Sequence, residues 1–242
     1  MAYAVITREG AARYAAVLAP LGLEVVALPV TRTEPARDPG VLARAIAQGG
    51  YAAIVVASAR AAEALHAARG AHVLPEVWAV GPATARALAA AGIAAEVPPI
   101  ARDGKALAEA MVAARALAGC RVLVPRAEEG RDDAIAILRA AGAEVDAITA
   151  YRTVALAGDA PELARGLAVL RDAAVCAVFA PSQVAALDAL VPIRAITARL
   201  VAIGQTTAAA LREAGATAVA VADAPTPEGL AKAVSAVYPQ SL

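Results

Sequence analysis

Aromatic residues, histidine and cysteine are scarce in this chain of 242 residues. Phe, Trp and Tyr make up 3% of it, and the 60% that is hydrophobic is rich in alanine, so its cores must be built from Ala, Val, Leu and Ile. The two cysteines, Cys120 and Cys176, lie beside apolar runs, lack the spacing of metal ligands and are expected to be small buried hydrophobes. The chain also has only two histidines. We expect that it holds neither a metal nor a cofactor.

Several functional classes lack their sequence signals. There is no Gly-x-Gly-x-x-Gly and no Walker-type phosphate loop. Lys plus Arg and Asp plus Glu both number 22, and this balance argues against a nucleic-acid binder that relies on bulk charge. The N-terminus has no signal-peptide pattern, and charged residues or Gly and Pro interrupt the apolar runs before membrane-spanning length. We therefore expect a cytoplasmic protein that binds neither nucleic acid nor membrane.

Strand-like apolar runs alternate with helix-like segments along the whole chain, from a strand at 3–7 to a helix at 227–237. This alternation predicts an α/β fold with parallel sheets. The helix after the first strand is expected over 11–21, and a further strand over 94–97.

Two segments combine a short strand, a glycine turn and threonines at the start of a helix. They contain Gly81 with Thr84, and Gly204 with Thr206 and Thr207; the glycines are 123 positions apart, as are Thr84 and Thr207. The hydroxyls could cap these helices, and a helix start is a natural anion site. Structural turns are the simpler interpretation of any one of them. Two copies favour a long, multiply negative ligand bound by two related halves.

Other residues pair across the same repeat. Arg8 pairs with Arg126 and Ser58 with Ser182, each at the end of a predicted strand. Open α/β sheets bind ligands at the carboxyl ends of their strands, which makes the arginines candidate carboxylate contacts, although exposed arginines are usually only solvated. Neither serine lies in Gly-x-Ser-x-Gly, so a hydrolase nucleophile is not indicated.

Tyr151 ends a long predicted strand that starts at Glu144 and is flanked by Thr149, Arg152 and Thr153. Tyrosine is mostly a packing residue. Here the chain is expected to leave one domain, so the phenol is a candidate general acid.

Taken together and in order, these segments resemble the uroporphyrinogen-III synthase family, which closes the tetrapyrrole ring. The resemblance rests on the following ordered segments: Val5-Ile6-Thr7-Arg8, Val56-Ala57-Ser58, Ala79-Val80-Gly81-Pro82-Ala83-Thr84, Ala147-Ile148-Thr149-Ala150-Tyr151-Arg152-Thr153, Phe179-Ala180-Pro181-Ser182, Ala202-Ile203-Gly204-Gln205-Thr206-Thr207-Ala208 and Ala224-Pro225-Thr226-Pro227.

The resemblance implies two similar Rossmann- or flavodoxin-like parallel-sheet domains that are joined by a two-stranded linker in a crossed, discontinuous topology. The first domain would combine residues 1–31 with 155–242. The second, inserted domain would be 35–150, and residues 32–34 with 151–154 would form the linker.

The resemblance also implies a substrate, hydroxymethylbilane, which is cyclised with loss of water and inversion of the last pyrrole ring. Tyr151 would be the catalytic acid. The remaining candidates would bind substrate: Arg8, Ser58, Gly81, Thr84, Arg126, Ser182, Gly204, Thr206 and Thr207. We expect a monomer. The alternatives are a non-catalytic two-domain binding protein for a small anionic metabolite, and a sugar-nucleotide transferase, which would need an acidic metal-binding motif that is missing here.

Overall fold

The computed structural model describes residues 2–238, and the chain divides into two compact units. The first unit runs to Arg32 and resumes at Val154, whereas the second is the continuous segment Thr33–Thr153. Each unit is built around one five-stranded sheet.

The strands, in chain order, are β1 (Ala2–Ile6), β2 (Leu23–Ala27), β3 (Thr31–Pro35), β4 (Ala53–Val56), β5 (Glu76–Ala79), β6 (Arg121–Ala127), β7 (Glu144–Ala155), β8 (Ala173–Val178), β9 (Arg199–Ala202) and β10 (Val219–Val221). The α-helices are α1 (Ala15–Leu18), α2 (Val41–Gln48), α3 (Ala59–Arg69), α4 (Gly81–Ala90), α5 (Gly104–Ala114), α6 (Asp133–Ala140), α7 (Ala164–Leu170), α8 (Pro181–Leu190), α9 (Gln205–Glu213) and α10 (Pro227–Val237).

The two sheets share one strand order. It is β2-β1-β8-β9-β10 in the first unit, and β7-β6-β4-β5 in the second, where β3 is added beside β7. Glu96 forms an isolated parallel bridge with Trp78 of β5. This bridge lies where β10 lies beside β9 in the first sheet. Both sheets follow the flavodoxin-like order, and their registered pairs are parallel.

Two neighbouring strands carry the chain from one unit to the other. Strands β3 and β7 lie side by side in the second sheet, and each runs across the boundary between the units. Arg152 of β7 donates to Glu34 of β3 over 2.5 Å, which ties the pair together. The predicted crossed α/β architecture with a two-stranded linker is confirmed.

Both faces of each sheet are apolar and covered, as parallel sheets require. Along β4, Ala53 and Val55 pack into one cluster with α5 and α6, whereas Ile54 and Val56 pack into another with α2 and α3. The alternation arises because successive strand residues point to opposite faces. Cys176 is fully buried in the first unit, and burial raises the pKa of its thiol to about 12. Cys120, also predicted to be buried, is only half-buried.

Two predicted elements are wrong in detail. The helix expected over 11–21 consists of the short helix α1 between two 3-10 turns, Ala11–Tyr14 and Ala19–Leu21, the second of which contains Pro20. The strand expected over 94–97 shrinks to the single bridge at Glu96. Pro98 and Pro99 follow directly and lack the N–H groups that would extend the ladder. No helix within residues 2–238 has the length and hydropathy needed to cross a membrane.

A polar cluster links strand starts at the amino end of the second sheet. Asp146 of β7 accepts hydrogen bonds from the Tyr51 hydroxyl at 2.7 Å and from Arg121 of β6 at 2.6 Å. The Arg121 guanidinium also lies 4.6 Å from the centre of the Tyr51 ring. Hydrogen bonds from Tyr51 and Arg121 lower the pKa of Asp146, and burial together with Asp146 raises the pKa of Tyr51 to about 12.

We expect Asp146→Asn to destabilise the protein at pH 7 by about 1 kcal/mol, the usual scale for a partly exposed hydrogen-bonded charge. Because folding lowers the pKa of Asp146, its contribution is present above the usual value of 3.8 and is lost as the pH falls through the lower folded value. The difference in unfolding free energy between wild type and variant should therefore shrink at acid pH. Denaturant unfolding at several pH values measures it. The control is Asp159→Asn at an exposed position. A difference that stays constant to pH 3 would contradict the assignment.

Candidate active site

The carboxyl end of the second sheet opens where its strand order reverses. Strands β4 and β6 are neighbours, but α3, which follows β4, and α6, which follows β6, pack against opposite faces of the sheet. Such a switch point leaves a crevice at the strand ends. A cavity of about 290 Å³ lies there, between the ends of β4 and β6 and the start of α5.

Three of the residues predicted from the sequence, Ser58, Arg126 and Tyr151, line this cavity together. Ser58 is the N-cap of α3, and its Oγ accepts the Ala61 N–H at 3.1 Å. The same Oγ lies 3.1 Å from the Tyr151 hydroxyl, and either oxygen can donate. The phenol is thus held at the amino end of an 11-residue helix.

Strand register explains how Tyr151 reaches Ser58. Ala53 pairs with Val122, so the same register continued along the strands places the end of β4 beside the end of β6. Ala127 of β6 pairs with Tyr151, after a shift in register that follows Arg126. The backbones at Ser58 and Tyr151 are therefore about two strand spacings, roughly 10 Å, apart. The serine and tyrosine side chains together bridge this gap past Ala127, whose side chain is only a methyl group.

Arg126 is held by the loop that follows it. Its side chain is 19% exposed; it forms an ion pair with Asp132 and donates a hydrogen bond to the Gly130 carbonyl. The guanidinium thus lies in the cavity wall in a fixed orientation and is not an extended, solvated surface group.

Three more cationic residues line the cavity and were missed in the sequence: Arg102, Lys105 and Arg131. With Arg126 they give four cations against the two lining carboxylates, Asp103 and Asp133. Asp103 is also the N-cap of α5 and accepts the Ala106 N–H at 2.9 Å. The lining residues themselves therefore carry two more positive than negative charges, although Arg126 is paired with Asp132 and Lys105 lies 3.8 Å from Glu109. Basic residues on either side of the capping dipeptide Asp103-Gly104 were the sequence signal for this wall.

The two glycine–threonine turns differ in conformation. Gly81 has a φ of 63°, in the left-handed region, whereas Gly204 has a φ of −173° and is extended. Neither helix that follows has a side-chain cap, so the predicted capping by threonine is wrong. Thr84 and Thr207 are buried at 4% and 2% exposure, and Thr206 is exposed.

Ser182 does not occupy the position that Ser58 occupies. The N-cap of α8 is Ala180, whose φ and ψ of −158° and 154° match the −158° and 156° of Ser58. Ser182 is the second residue of α8 and is exposed. The match in sequence is therefore two residues out of structural register.

In the first unit, Arg8 follows β1 at the equivalent switch point, beside the end of β8. Its guanidinium lies 5.3 Å from the centre of the Phe179 ring. The buried Thr7 hydroxyl lies 2.9 Å from Gln183 Oε1, which also accepts the Phe179 N–H at 3.0 Å. Gln183 was not predicted from the sequence; it joins the ends of β1 and β8. Within residues 2–238 no group of three His, Cys, Asp or Glu side chains is placed to hold a metal ion.

The fold and this site define a class: a crossed pair of flavodoxin-like α/β units, one of which carries a basic cavity with a tyrosine at its strand ends. The sequence model of the family described as "Uroporphyrinogen-III synthase HemD" matches residues 12–232. The chain belongs to this family.

Solved structures of uroporphyrinogen III synthases have the same fold. One from Helicobacter pylori 26695 is 17% identical with a TM-score of 0.68, and the match covers 98% of this chain and 100% of that one. A mutant enzyme from the extremely thermophilic bacterium Thermus thermophilus is 20% identical with a TM-score of 0.62, and the match covers 98% of both chains. A search of curated proteins finds no match.

The contrast between the two turns predicts opposite effects of one substitution. Serine at Gly81 would have to adopt a left-handed conformation, so Gly81→Ser should cost about 1–2 kcal/mol of stability. Gly204→Ser places a favoured N-cap residue on extended backbone, where an added Cβ meets no atom within 4 Å, and should leave stability unchanged or raise it slightly. Denaturant unfolding of both variants measures this. Equal losses at both positions would contradict the assignment.

Proposed function

We propose that this enzyme cyclises hydroxymethylbilane with Tyr151 as the residue that acts on the leaving hydroxyl. In this reaction the hydroxyl departs as water and leaves an electrophilic azafulvene. The far pyrrole attacks through its substituted carbon to give a spiro intermediate, which reopens and closes with the last ring inverted. The product is uroporphyrinogen III, the expected product of this family's activity.

The contact between Tyr151 and Ser58 carries the proposal. The Ser58 Oγ already accepts the Ala61 N–H, so its own proton is available to the Tyr151 oxygen. Tyr151 can then donate its proton to the departing hydroxyl, which leaves as water. The phenolate regains a proton when the resulting cation loses its pyrrole N–H proton to give the azafulvene. The negative charge that develops on the phenol is stabilised by the Ser58 hydroxyl and by the amino end of α3.

The basic cavity wall suits the rest of the substrate. Each pyrrole ring carries an acetate and a propionate, and Arg102, Lys105, Arg126 and Arg131 supply counter-charges near Tyr151. Arginine can hold a carboxylate through two parallel hydrogen bonds, which fixes orientation as well as position.

We extend carboxylate binding to the strand ends of the first unit, through Arg8, Ser182, Gly204, Thr206 and Thr207, and to the turn at Gly81 and Thr84. Backbone N–H groups at the starts of α4 and α9 and the exposed Thr206 hydroxyl are suitable donors. The buried Thr84 and Thr207 would act by supporting these helix starts.

Such a site needs positioning more than strong acid–base chemistry. Without an enzyme, hydroxymethylbilane closes by itself to the symmetric isomer, so its reactivity is already sufficient. The enzyme has to hold the chain so that attack through the substituted carbon precedes direct closure, an effect of orientation. Fixed arginines and one tyrosine are adequate for that task.

The domain bounds, the oligomeric state and the cellular location belong to the same proposal. We take residues 1–31 with 155–242 and residues 35–150 as the domains, with 32–34 and 151–154 as the linker, in a monomeric cytoplasmic enzyme.

Replacement of Tyr151 by Phe should lower turnover by about 10²-fold or less, the low end for general acids, because the leaving group departs readily. The product should shift toward the symmetric isomer, since poorly held substrate closes by itself. Stability should change by less than about 1 kcal/mol, because Ser58 keeps its bond to Ala61. Turnover and the isomer ratio of the product measure the effect.

The matched control is Tyr51→Phe, which removes a tyrosine hydroxyl at the opposite end of the same sheet. It should lower stability without altering the isomer ratio. If Tyr151→Phe equals wild type in both turnover and isomer ratio, the phenol has no catalytic part and catalysis rests on positioning alone.

Gly204→Val tests the first unit. The extended backbone and the open space around Gly204 allow a branched side chain, so the variant should fold, with a loss of about 1 kcal/mol for a poorer N-cap. If the amide there binds a carboxylate, kcat/KM should fall about 10- to 100-fold, as expected for a charged hydrogen bond. Ala209→Val, exposed on the same helix, is the control. Wild-type kcat/KM in Gly204→Val would show that the turn is only structural.

A further inference from the structure

Arg126 and its partner differ sharply in exposure. The Arg126 side chain is 19% exposed and lines the cavity, whereas Asp132, with which it forms an ion pair, is 76% exposed. The pair therefore joins a fixed cation in the wall to a carboxylate that can turn away into solvent.

The loop between these two residues is folded closely over the guanidinium. The Gly130 carbonyl accepts a hydrogen bond from Arg126, and a Cβ at Gly130 would lie only 3.0 Å from Arg126 Nε. Gly130 itself lines the cavity. The loop thus engages both terminal nitrogens of Arg126 and presents Asp132 to it.

We propose that Asp132 occupies, on Arg126, the position that a substrate carboxylate takes, and that it is displaced when substrate binds. This inference rests on the proposed function of the same cavity. Asp132 acts as an internal competitor: it keeps the guanidinium oriented and paired in the resting enzyme and gives way to a ligand that brings its own carboxylates.

The exchange is favourable only for a particular class of ligand. One carboxylate replaces another on Arg126, so a lone monocarboxylate gains little over Asp132. A ligand with several carboxylates also engages Arg102, Lys105 and Arg131, and this additional attraction drives Asp132 into solvent. An exposed ion pair contributes little to stability, so its loss is easily offset. Asp132 therefore favours polycarboxylates over small acids.

The test is a binding cycle with trimesate, a planar tricarboxylate, measured by calorimetry on the full chain. The variants are Asp132→Asn, Arg126→Gln and the double variant, and the control is Glu129→Gln, which removes one charge from an exposed residue of the same loop. We expect Asp132→Asn to tighten binding about two- to fivefold, the range of an exposed ion pair. Glu129→Gln should have a smaller effect. Adding Asp132→Asn to Arg126→Gln should not tighten binding further.

Kinetics give an independent readout. Asp132→Asn should lower KM for hydroxymethylbilane and leave kcat almost unchanged. If wild type fails to make uroporphyrinogen III, the proposed function falls, while the trimesate cycle remains interpretable.

Four results would overturn the inference. They are unchanged or weaker trimesate binding by Asp132→Asn, an equal gain in Glu129→Gln, a gain that persists in the Arg126→Gln background, and no measurable binding to wild type or to Asp132→Asn. Loss of binding in both Arg126→Gln variants supports it, because it makes Arg126 the group for which the two carboxylates compete.

Discussion

The parallel pairing at the centre of each sheet is the constraint on which the rest of this structure depends. Strand β1 pairs with β8, and β4 pairs with β6, although each pair is far apart along the chain. Because parallel neighbours need crossover connections, the helices that follow such a pair can cover opposite faces. The crevice that this leaves at the strand ends holds Ser58 and Arg126 in one unit and Arg8 in the other.

The sequence repeat and the compact units are not the same division of the chain. The repeat makes β6 and β7 the counterparts of β1 and β2, yet β1 and β2 pair into the sheet of β8, β9 and β10. The two copies have in effect exchanged their first two strands. This exchange is why two strands, β3 and β7, must carry the chain between the units, and why Tyr151 lies on a strand that begins in one core and ends in the other unit.

Local patterns determined most of the fold. Apolar runs ending in Gly, Ser or Thr predicted the strand ends and hence the edge of the sheet where the candidate residues lie. The repeat also predicted matching positions, but it aligned Ser182 with Ser58. The structural counterpart of Ser58 is Ala180. A repeat aligned on residue type ignores backbone angles, and these distinguish a cap from the second residue of a helix. Gly81 and Gly204 show the same limit: both are glycine, but their backbone conformations differ.

The contact between Tyr151 and Ser58 lay beyond prediction because it depends on register across three strands. It needs the alignment of β4 with β6, the shift after Arg126, and a methyl group at Ala127. None of these is a local property of the sequence.

The net charge of the sequence likewise did not indicate where charges gather in the folded protein. A net charge of zero excluded a broadly basic surface, but folding brings four of the 22 cations to one cavity. Local concentration of charge is what a polycarboxylate requires, because screening limits attraction to about 10 Å at ordinary salt. A neutral chain can thus bind a highly anionic substrate without attracting anions over its whole surface. In the proposed function, these cations hold the substrate where its orientation decides which isomer forms.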